Sequence, residues 1–379
     1  MNKTIKTIMI GSMLIIILLF TVHKTVLARD KINPITNNGK KWRIAYYEGG
    51  PYSDYTDTMR TLVDGLIESG WIKDSNPKTI SGDVQKPYWE WLTQCNSPYL
   101  SFNPQYAFSA NWDDQKRVVI RKKMIDRLKK SQFDLVFAMG TWAGQDLANN
   151  MHSVPIMVLS TSDPIGAGII KSVDNSGLDH VTARVDPDRY LRQIRMFHRI
   201  CQFNTLGVAY ENTPVGRIYS AIDDLKEVSK KRGFKLITCE VVDSTPDTQK
   251  ADQTCLDCFR KLSKQADAVY VTALTCVDRI TDEIVEIFKT AKKPSFSMVG
   301  SKYVKNGILL SISSDSGYKE LGVYNAQKLA KILNGTKPNL LNQRFEDPLD
   351  IAVNIKIARQ IGFSVPKSII SIAAEIYDQ

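Results

Sequence analysis

Short apolar runs alternate with amphipathic segments along most of this chain. Residues 135–139 (LVFAM) are apolar at every position, which is typical of a strand buried on both faces of a sheet. Residues 56–68 instead repeat apolar side chains at helical spacing, which predicts a helix packed through one face. The alternation of these two patterns indicates parallel sheets covered by helices.

Two such series follow one another, and the second begins near residue 186. The first series predicts strands at residues 42–47, within 100–109, and at 135–139, 154–159 and 181–185. The second predicts strands at residues 206–210, 235–242, 268–273, 295–299, 308–312 and 349–354. We therefore expect an α/β protein with two doubly wound parallel sheets that face each other across a cleft.

Amphipathic stretches between these strands predict the helices. They lie at residues 56–68, 113–130, 142–150, 187–200, 220–231, 248–264, 277–291, 318–333 and 355–361. In the helix at residues 113–130, the side chains expected to face the sheet are Val118, Val119, Met124, Ile125 and Leu128.

The stretch from residue 133 to residue 168 carries the strongest signal for a ligand site. Its pattern is strand, helix, strand, and small or polar residues follow both strands. In open α/β sheets, ligands bind at the carboxyl ends of the strands, where helix N-termini offer free N–H groups. The candidate residues there are Thr141, Trp142, Thr161, Ser162 and Asp163.

Residues 73–113 are irregular and rich in aromatic side chains. They predict the second strand of the first series and an insertion with a short helix near residues 86–94. We expect the aromatic insertion to pack onto its parent domain. The alternative is a lid or a docking surface.

The N-terminus has the pattern of a secretory signal peptide. Lys3 and Lys6 precede an apolar run at residues 8–20, and residues 26–28 (VLA) suit cleavage after Ala28. The apolar run is shorter than the roughly 20 residues that a transmembrane helix needs. The expected location is periplasmic or otherwise extracytoplasmic, and an uncleaved anchor is the alternative.

The positive charge of the chain does not indicate a nucleic acid partner. Removal of Lys3, Lys6 and Lys24 with the leader changes 50 Lys+Arg to 47, against 40 Asp+Glu, which leaves a net charge of +7. The basic clusters lie on predicted helices whose other face is apolar, so they are expected to be solvated faces.

Six cysteines in an exported chain favour disulfides. Four of them fall in one region: Cys239, Cys255, Cys258 and Cys276. A zinc site would require all four thiolates to converge, and a redox C-x-x-C would require a helix N-terminus after a strand. We expect one or two structural disulfides, and the pairing stays open.

The sequence carries no recognisable catalytic or phosphate-binding motif. None of the four histidines lies near a serine or cysteine in a nucleophile-like turn, and G-x-S-x-G is absent. Gly166 and Gly168 lack the third glycine of a dinucleotide fingerprint. We predict no enzymatic activity, no catalytic residues, no cofactor and no metal site.

Several segments, taken in order, resemble the solute-binding proteins of ABC importers. They are AMGTWAGQDLAN, VPIMVLSTSDPIGAG, LGVAYENT, ADAVYVTAL and GVYNAQKLAKILNG. The closing VNIKIARQIGFSVPKSIISIAAEIYDQ is similar to the tail of the tryptophan/tyrosine-type subfamily of periplasmic binding proteins of type I fold. The resemblance covers roughly residues 42–379, and the ordered set is more specific than any single motif.

This resemblance implies two lobes that are linked by a three-segment hinge and close on a small ligand. The first lobe is expected to comprise residues 42–183 plus about 313–337, including the aromatic insertion at about 73–113. The second lobe is expected to comprise residues 184–312 plus about 338–379.

The resemblance also places a ligand site at the strand ends that face the cleft. Thr141 and Trp142 stand where a hydroxyl and a helix N–H bind the ligand, and residues 161–163 stand at the family's T-D-P loop. The further candidates are Tyr47, Glu48, Gly49, Tyr210, Asn212, Thr272, Thr275, Ser313 and Asp315.

These residue types suit an amino acid. We expect a ligand carboxylate at Thr141 and at the N–H groups of the helix that begins at Trp142. Asp163 or Asp315 is expected to pair with an ammonium group. The side chains expected to stack on an apolar ligand group are Tyr47, Trp142 and Tyr210. In the alternative, Asp163 only caps the turn before Pro164 and Trp142 fills the core.

One departure from the family bears on the ligand. Members often carry an acidic residue after the strand equivalent to residues 296–298, where this chain has Val299 and Gly300. The amino-acid clamp is therefore incomplete, and an aromatic amino acid is one ligand among several.

The resemblance implies an extracytoplasmic solute-binding component of an ABC importer. Its partners would be a small polar or aromatic molecule and an ABC permease in the membrane, and the chain would act as a monomer. The alternative is a ligand-binding sensor for a membrane histidine kinase or chemoreceptor, because both roles use closure on ligand. A structural or adhesive surface protein is a third hypothesis.

Overall fold

The computed structural model describes residues 33–75, 88–312 and 315–378. The expected signal peptide and residues 76–87 of the aromatic insertion lie outside these ranges. Cleavage after Ala28 therefore stays a prediction. Among the helices within the described ranges, none is both long enough and apolar enough to cross a membrane.

Five parallel strands form the first sheet, in the order β2-β1-β3-β4-β5. The strands are β1 (Trp42–Glu48), β2 (Leu100–Ser109), β3 (Leu135–Met139), β4 (Ile156–Leu159) and β5 (Val181–Ala183). Their helices are α1 (Ser53–Glu68), α2 (Trp89–Gln94), α3 (Asp114–Lys129) and α4 (Gly140–Leu147). The strand order reverses between β1 and β3, so the crevice that suits a ligand lies at their carboxyl ends.

Seven strands form the second sheet, in the order β12-β11-β10-β9-β8-β6-β7. They are β6 (Thr205–Glu211), β7 (Lys235–Val241), β8 (Ala268–Val271), β9 (Ser295–Ser297), β10 (Leu310–Ile312), β11 (Ile351–Asn354) and β12 (Glu375–Tyr377). The pairing of β10 with β11 is antiparallel, unlike the other pairs of this sheet. The prediction of two mainly parallel sheets is confirmed, with this one exception.

Ten helices follow β5 within the described residues. They are α5 (Arg189–Cys201), α6 (Pro214–Tyr219), α7 (Ile222–Arg232), α8 (Thr248–Gln265), α9 (Thr275–Arg279), α10 (Thr281–Thr290), α11 (Ser301–Lys305), α12 (Asp315–Leu333), α13 (Ile355–Ile361) and α14 (Lys367–Ile370). The helix predicted at residues 277–291 is interrupted at Ile280, whose φ of -126° and ψ of 33° are not helical. Elements as short as α6, α14 and β12 offer too few residues for a periodic signal, and the sequence pattern did not predict them.

Helix α12 returns to the first sheet, where Leu329 and Leu333 share a core cluster with Leu62 and Leu66 of α1. The chain thus passes between the two sheets three times: after β5, after β10 and after α12. Each sheet with its helices forms a lobe, and the three crossovers form the hinge. The domain boundaries given above stay a prediction.

The first and third crossovers are paired through their backbones. The N–H of Val185 donates to the carbonyl of Gln343 at 2.7 Å, and the N–H of Phe345 donates to the carbonyl of Val185 at 3.0 Å. The fully buried side chain of Gln343 accepts hydrogen bonds from the Thr182 hydroxyl and from the Ala183 N–H. Two of the three hinge segments are therefore held together as one short ladder.

The expected inner face of α3 is wrong in its first two turns. Val118 and Val119 are 69% and 66% exposed, whereas Met124, Ile125 and Leu128 are buried as predicted. The inner stripe of the helix continues through Arg117, whose guanidinium donates to the carboxylate of Asp146 at 3.0 Å. A charged residue with a buried partner thus takes the place that the pattern gave to the valines.

The described part of the aromatic insertion packs onto its parent lobe, as we expected. Trp89 is buried against Tyr46 and Phe102, with ring centroids 5.7 Å and 5.5 Å apart. Trp71 and Tyr88 belong to the same core cluster. Trp112 is different, because it lies at the cleft between the lobes.

The four clustered cysteines form two disulfides, Cys239–Cys258 and Cys255–Cys276. The two cysteines of the C-x-x-C thus pair with different partners, on β7 and on α9. Cys95 and Cys201 are free thiols. The prediction of structural disulfides is confirmed, and the two bridges fasten α8 to its neighbours.

A lysine is buried beneath the hinge. Lys328 of α12 donates to the carbonyl of Ala183 at 2.8 Å and to the hydroxyl of Tyr324 at 3.1 Å. Its ammonium also lies 4.8 Å from the centre of the Tyr324 ring. Burial lowers the pKa of this amine to about 7, because a desolvated ammonium is unfavourable.

The disulfide pairing predicts how many thiols react. Iodoacetamide added in denaturant without reductant should modify two cysteines per chain, and all six after reduction, as counted by mass spectrometry. Each bridge closes a sequence separation of 19 or 21 residues, so reduction should lower the free energy of unfolding by about 3 kcal/mol per bridge. Four or six reactive thiols before reduction would contradict the pairing.

The buried lysine predicts a pH dependence of stability. Between about pH 7 and the unfolded pKa of about 10.4, the unfolded chain binds a proton at Lys328 that the folded chain lacks. The free energy of unfolding should therefore rise with pH by about 1 kcal/mol per pH unit in this window. Lys328→Met should remove this contribution, which urea titrations from pH 7.5 to 9.5 would measure.

The matched control is Lys319→Met, an exposed position on the same helix. The control should keep the slope of the wild-type protein, because a solvated lysine titrates alike in both states. An unchanged slope in Lys328→Met would show that this amine stays protonated in the folded protein.

Candidate functional site

Two small cavities lie between the lobes and meet at four shared residues. The hinge cavity has a volume of about 60 Å³ and is bordered by Arg184 of the first crossover and Asp347 of the third, among other residues. The tryptophan cavity has a volume of about 50 Å³ and lies at the other side. The residues that border both are Tyr52, Ser160, Ser162 and Ala273. Both cavities are far below the ~300 Å³ of a typical ligand pocket. A third cavity of about 340 Å³ lies beside the hinge cavity and is bordered by Ser53, Asp54 and Tyr318 on one side and by Val299 and Tyr303 on the other.

Two indole rings form the outer wall of the tryptophan cavity. Trp112 and Trp142 meet edge to face with ring centroids 5.4 Å apart, and Trp112 donates to the carbonyl of Pro51 at 3.0 Å. The backbone of Gly50 lies so close to Trp112 that a Cβ there would be 2.5 Å from the indole ring. Glycine at this position therefore permits the placement of Trp112.

Helix α4 directs its N-terminus at the same cavity. The chain turns from β3 directly into this helix at Gly140, which has a φ of +79° and where a Cβ would be 1.9 Å from the Tyr55 hydroxyl. Thr141 and Trp142 follow in the first turn, and no side chain caps the helix. The first N–H groups of a helix lack intrahelical partners, so this end favours an anionic group.

The second lobe contributes a polar wall built around two buried carboxylates. Asp243 accepts hydrogen bonds from the Thr275 N–H and hydroxyl, both at 2.9 Å. Burial raises the pKa of Asp243 to about 6. Glu211 accepts from the Tyr219 hydroxyl and the Ser244 hydroxyl, each at 2.8 Å. These bonds fix the loops that close the tryptophan cavity.

The hinge cavity contains a carboxylate that is held only by hydroxyl groups. Asp54 accepts hydrogen bonds from the hydroxyls of Ser160 and Tyr318. Within the part of the chain that the structure describes, no lysine, arginine or histidine forms an ion pair with Asp54. Arg189, which borders the same cavity, attracts this negative charge from beyond ion-pair distance.

Opposite Asp54, the cavity is bordered by an ion cluster from the first and third crossovers. Asp347 pairs with Arg184 and with Arg189, whose Nε lies 2.9 Å from Asp347 Oδ2. Asp186 pairs with Arg192 at 2.7 Å and accepts from the Asp347 N–H at 2.9 Å. Burial opposes ionisation of Asp347, but the two arginines outweigh it and keep its pKa below the ordinary value.

Several buried polar atoms around this cavity make no hydrogen bond. They are the hydroxyls of Tyr52 and Thr161, the Nε atoms of Arg184 and Arg189, and Oδ2 of Asp347. The arginine and aspartate atoms still touch within ion pairs, although without the geometry of a hydrogen bond. Buried polar groups are almost always hydrogen-bonded, so these atoms mark a place where a polar ligand fits.

A clamp joins the two lobes at the edge of the cleft. The N–H and hydroxyl of Ser53, in the first lobe, donate to Asp278 of the second lobe at 3.1 Å and 2.7 Å. The Tyr303 hydroxyl donates to the same carboxylate. Because these bonds cross the cleft, they stabilise the closed arrangement.

The structure brings part of the predicted site together. The predicted residues that border the cavities are Thr141, Trp142, Thr161, Ser162 and Thr275. Gly49 lies directly beneath Trp142, where a Cβ would be 3.0 Å from its Cβ. Ser313 lies outside the described residues, as does the side chain of Asp315, the first residue of α12.

Three predicted site residues have structural roles instead. The hydroxyl of Tyr47 donates to Asp146 at 2.7 Å within the core of the first lobe. Glu48 is buried and accepts from the Tyr46 hydroxyl at 2.5 Å. Thr272 donates to the carbonyl of Ala209 at 2.8 Å. They follow or end strands, but their side chains point into the packed interior.

Three more lie away from both cavities. Asp163 accepts from the N–H groups of Ile165 and Gly166 at 3.0 Å and 2.8 Å, so its carboxylate caps the turn and the expected ammonium role is not supported. Tyr210 lies under the guanidinium of Arg217, and Asn212 is exposed and bonded to the same arginine. The expected stacking by Tyr210 is likewise not supported.

Sequence reasoning missed most residues of the hinge cavity. They include Tyr52, Asp54, Arg184, Arg189, Tyr190, Tyr318 and Asp347. Tyr52 and Asp54 follow β1 at a strand end, so their position in the sequence carried a signal for a site in the cleft. The arginines and Asp347 come from two distant crossovers, and no local pattern brings them together.

Comparisons with known proteins match most of the chain to one protein family. The family model for ABC transporter substrate binding proteins matches residues 103–377. A tyrosine-binding protein of Clostridioides difficile is 23% identical over 226 residues, which are 58% of this chain and 61% of that protein. The chain thus spans about three fifths of the length of this curated relative.

Solved structures show the same fold at low identity. The ABC domain of a Streptococcus pneumoniae protein in complex with L-Trp has a TM-score of 0.67 at 20% identity, over 89% of this chain and 100% of that chain. A conserved domain protein of Vibrio cholerae has a TM-score of 0.68 at 20% identity, with the same coverage. Since the family model spans well over half of its length, the chain belongs to the ABC transporter substrate-binding protein family.

Proposed function

We propose that this protein is the extracytoplasmic substrate-binding component of an ABC importer, and that it closes its lobes around an amino acid with an aromatic or large apolar side chain. The observation that carries this proposal is the pair of adjoining cavities, one lined by indole rings and the other by unpartnered polar atoms. An amphipathic molecule with one apolar and one polar end matches that division.

The tryptophan cavity suits the ligand's side chain. Trp112, Trp142, Tyr55 and Tyr219 surround it, and aromatic rings bind other rings through edge and face contacts. The relatives support an aromatic ligand, because one is named for tyrosine and another was solved with L-Trp. Thr141 and the N-terminus of α4 add polar contacts for a ring hydroxyl or for a second polar group.

The lobes must separate for a ligand to enter. The two cavities together are much smaller than a pocket for a drug-sized ligand, and the Ser53 to Asp278 bonds hold the cleft shut. Opening breaks this clamp, and a ligand that bridges the lobes restores closure. Closure of this kind is the signal that a membrane partner recognises.

Import is favoured over sensing by the family, whose members are substrate-binding proteins of ABC transporters. We propose an ABC permease as the membrane partner, a monomeric protein, and export by the N-terminal signal peptide with cleavage after Ala28. The proposed role is a binding cycle in which no covalent bond is made or broken.

A ligand screen tests the proposed function. The mature protein, residues 29–379, is heated with each of the twenty amino acids, nucleosides, sugars and small carboxylates. Tyrosine, tryptophan or phenylalanine should raise the melting temperature most, because a ligand at 100 times its Kd adds about 2.7 kcal/mol to the free energy of unfolding. Cells that lack the gene should then take up less of the labelled ligand. A hit only among sugars, or normal uptake in those cells, would contradict the proposal.

The tryptophan wall predicts a specific loss on substitution. Trp142→Ala should weaken binding of the aromatic amino acid by tenfold or more, about the effect of losing a buried aromatic contact, measured by isothermal titration calorimetry. Trp91→Ala is the control, because Trp91 packs within the aromatic insertion away from both cavities. Equal affinity in Trp142→Ala and wild type would remove this wall from the site.

A further inference from the structure

We propose that the ligand's two backbone charges are bound at the hinge cavity, with its ammonium group at Asp54 and its carboxylate at the arginines of the crossover cluster, Arg184 and Arg189. This inference rests on the proposed function and specifies how the same site recognises its ligand. Asp54 thus takes the ammonium-binding role expected of Asp163, whose carboxylate caps a turn. The arginines make the hinge part of the surface that contacts the ligand.

The two sides of the hinge cavity carry opposite net charges. The crossover cluster contains three arginines against two aspartates: Arg184, Arg189 and Arg192 face Asp186 and Asp347. It therefore carries a net charge of +1. Asp54, on the other side, carries a charge of -1, accepts hydrogen bonds from two hydroxyl groups and attracts Arg189 through space. Such an arrangement complements a zwitterion and not a neutral sugar.

The small size of the hinge cavity suits a small zwitterion. The cavity that separates Asp54 from the arginines has a volume of only about 60 Å³. In an α-amino acid, the ammonium and carboxylate groups are attached to the same carbon atom, so both fit in a narrow space between opposite charges. A molecule with widely separated charges would not pair with both walls at once.

Several hydrogen-bond donors that border the hinge cavity have no acceptor. The Nε atom of Arg184 and the buried hydroxyl of Tyr52 make no hydrogen bond, whereas Nε of Arg189 already contacts Asp347 at 2.9 Å. The first two donors can serve a carboxylate. The Thr161 hydroxyl is also buried and unpartnered. A ligand carboxylate would thus satisfy donors that are costly to bury alone.

A ligand that binds the arginines would contact the hinge directly, because Arg184 lies on the first crossover and pairs with Asp347 on the third. Arg184 begins the first crossover, Asp347 belongs to the third, and the two segments are paired at Val185 and Gln343. Asp54 instead belongs to α1 of the first lobe. A zwitterion that bridges Asp54 and the cluster would fix the first lobe relative to both crossovers. Lobe closure then depends on the charged end of the ligand.

Charge-deleted ligands test this without altering the protein. Isothermal titration calorimetry of the mature protein would compare L-tyrosine with tyramine, which lacks the carboxylate, and with 3-(4-hydroxyphenyl)propionate, which lacks the ammonium group. Each analogue should bind about thirtyfold more weakly or worse, because one buried charge loses its partner. If another amino acid binds more strongly in the screen, the three ligands compared are that amino acid, its analogue without the carboxylate and its analogue without the ammonium group.

Two variants then assign each charge to its partner. Asp54→Asn should weaken binding of tyrosine by a similar factor but leave the affinity for the propionate unchanged. Arg184→Gln should weaken binding of tyrosine and of the propionate but leave the affinity for tyramine unchanged. The controls are Asp126→Asn and Arg260→Gln, which are exposed and far from the cleft and should bind all three ligands as the wild type does. Arg184→Lys provides a charge-preserving variant if Arg184→Gln does not fold.

The outcomes separate the two proposals. If the wild type binds tyrosine but binds tyramine or the propionate equally well, the zwitterion site is wrong while the amino-acid function stands. A uniform loss for all three ligands in Asp54→Asn and Arg184→Gln would likewise overturn it, since it indicates a structural role. If no amino acid binds the wild type, the proposed function fails, and this inference fails with it.

Discussion

The pairing of Asp347 with Arg184 and Arg189 is the interaction on which the working parts of this protein depend. It connects the first and third crossovers, so it holds the hinge in register, and it also borders the cavity between the lobes. A buried aspartate is unfavourable without cationic partners, and the arginines supply them. In the site that we propose, hinge geometry and ligand recognition share one set of charges.

Other contacts hold the crossovers and the cleft around the ion pairs of Asp347. Backbone pairing of Val185 with residues 343 and 345 and the buried amide of Gln343 hold the crossovers rigid. On the cleft side, Trp112 and Trp142 form an apolar wall, and the Ser53 to Asp278 bonds latch the lobes. A rigid hinge with a reversible latch is what a binding protein needs, because closure must be governed by the ligand and not by chain flexibility.

Several of the predicted site residues lie at the cavities between the lobes, but others have partners that the sequence did not indicate. Thr141, Trp142, Thr161 and Ser162 border the cavities because the carboxyl ends of parallel strands share one edge. Asp163 is also at a strand end, yet two backbone N–H groups occupy its carboxylate. Position relative to a strand is visible in the sequence, whereas the partner that a side chain selects is not.

The sequence by itself determined the alternation of buried strands and amphipathic helices, the two mainly parallel sheets, and the family. Each of these follows from local periodicity or from an ordered set of short motifs. Only the tertiary structure decided the disulfide pairing, the exposure of Val118 and Val119, and the meeting of Asp54 with Arg184, Arg189 and Asp347. Asp54, the two arginines and Asp347 come from three parts of the chain that are more than a hundred positions apart. Arg184 meets Asp347 because the first and third crossovers run side by side at the hinge.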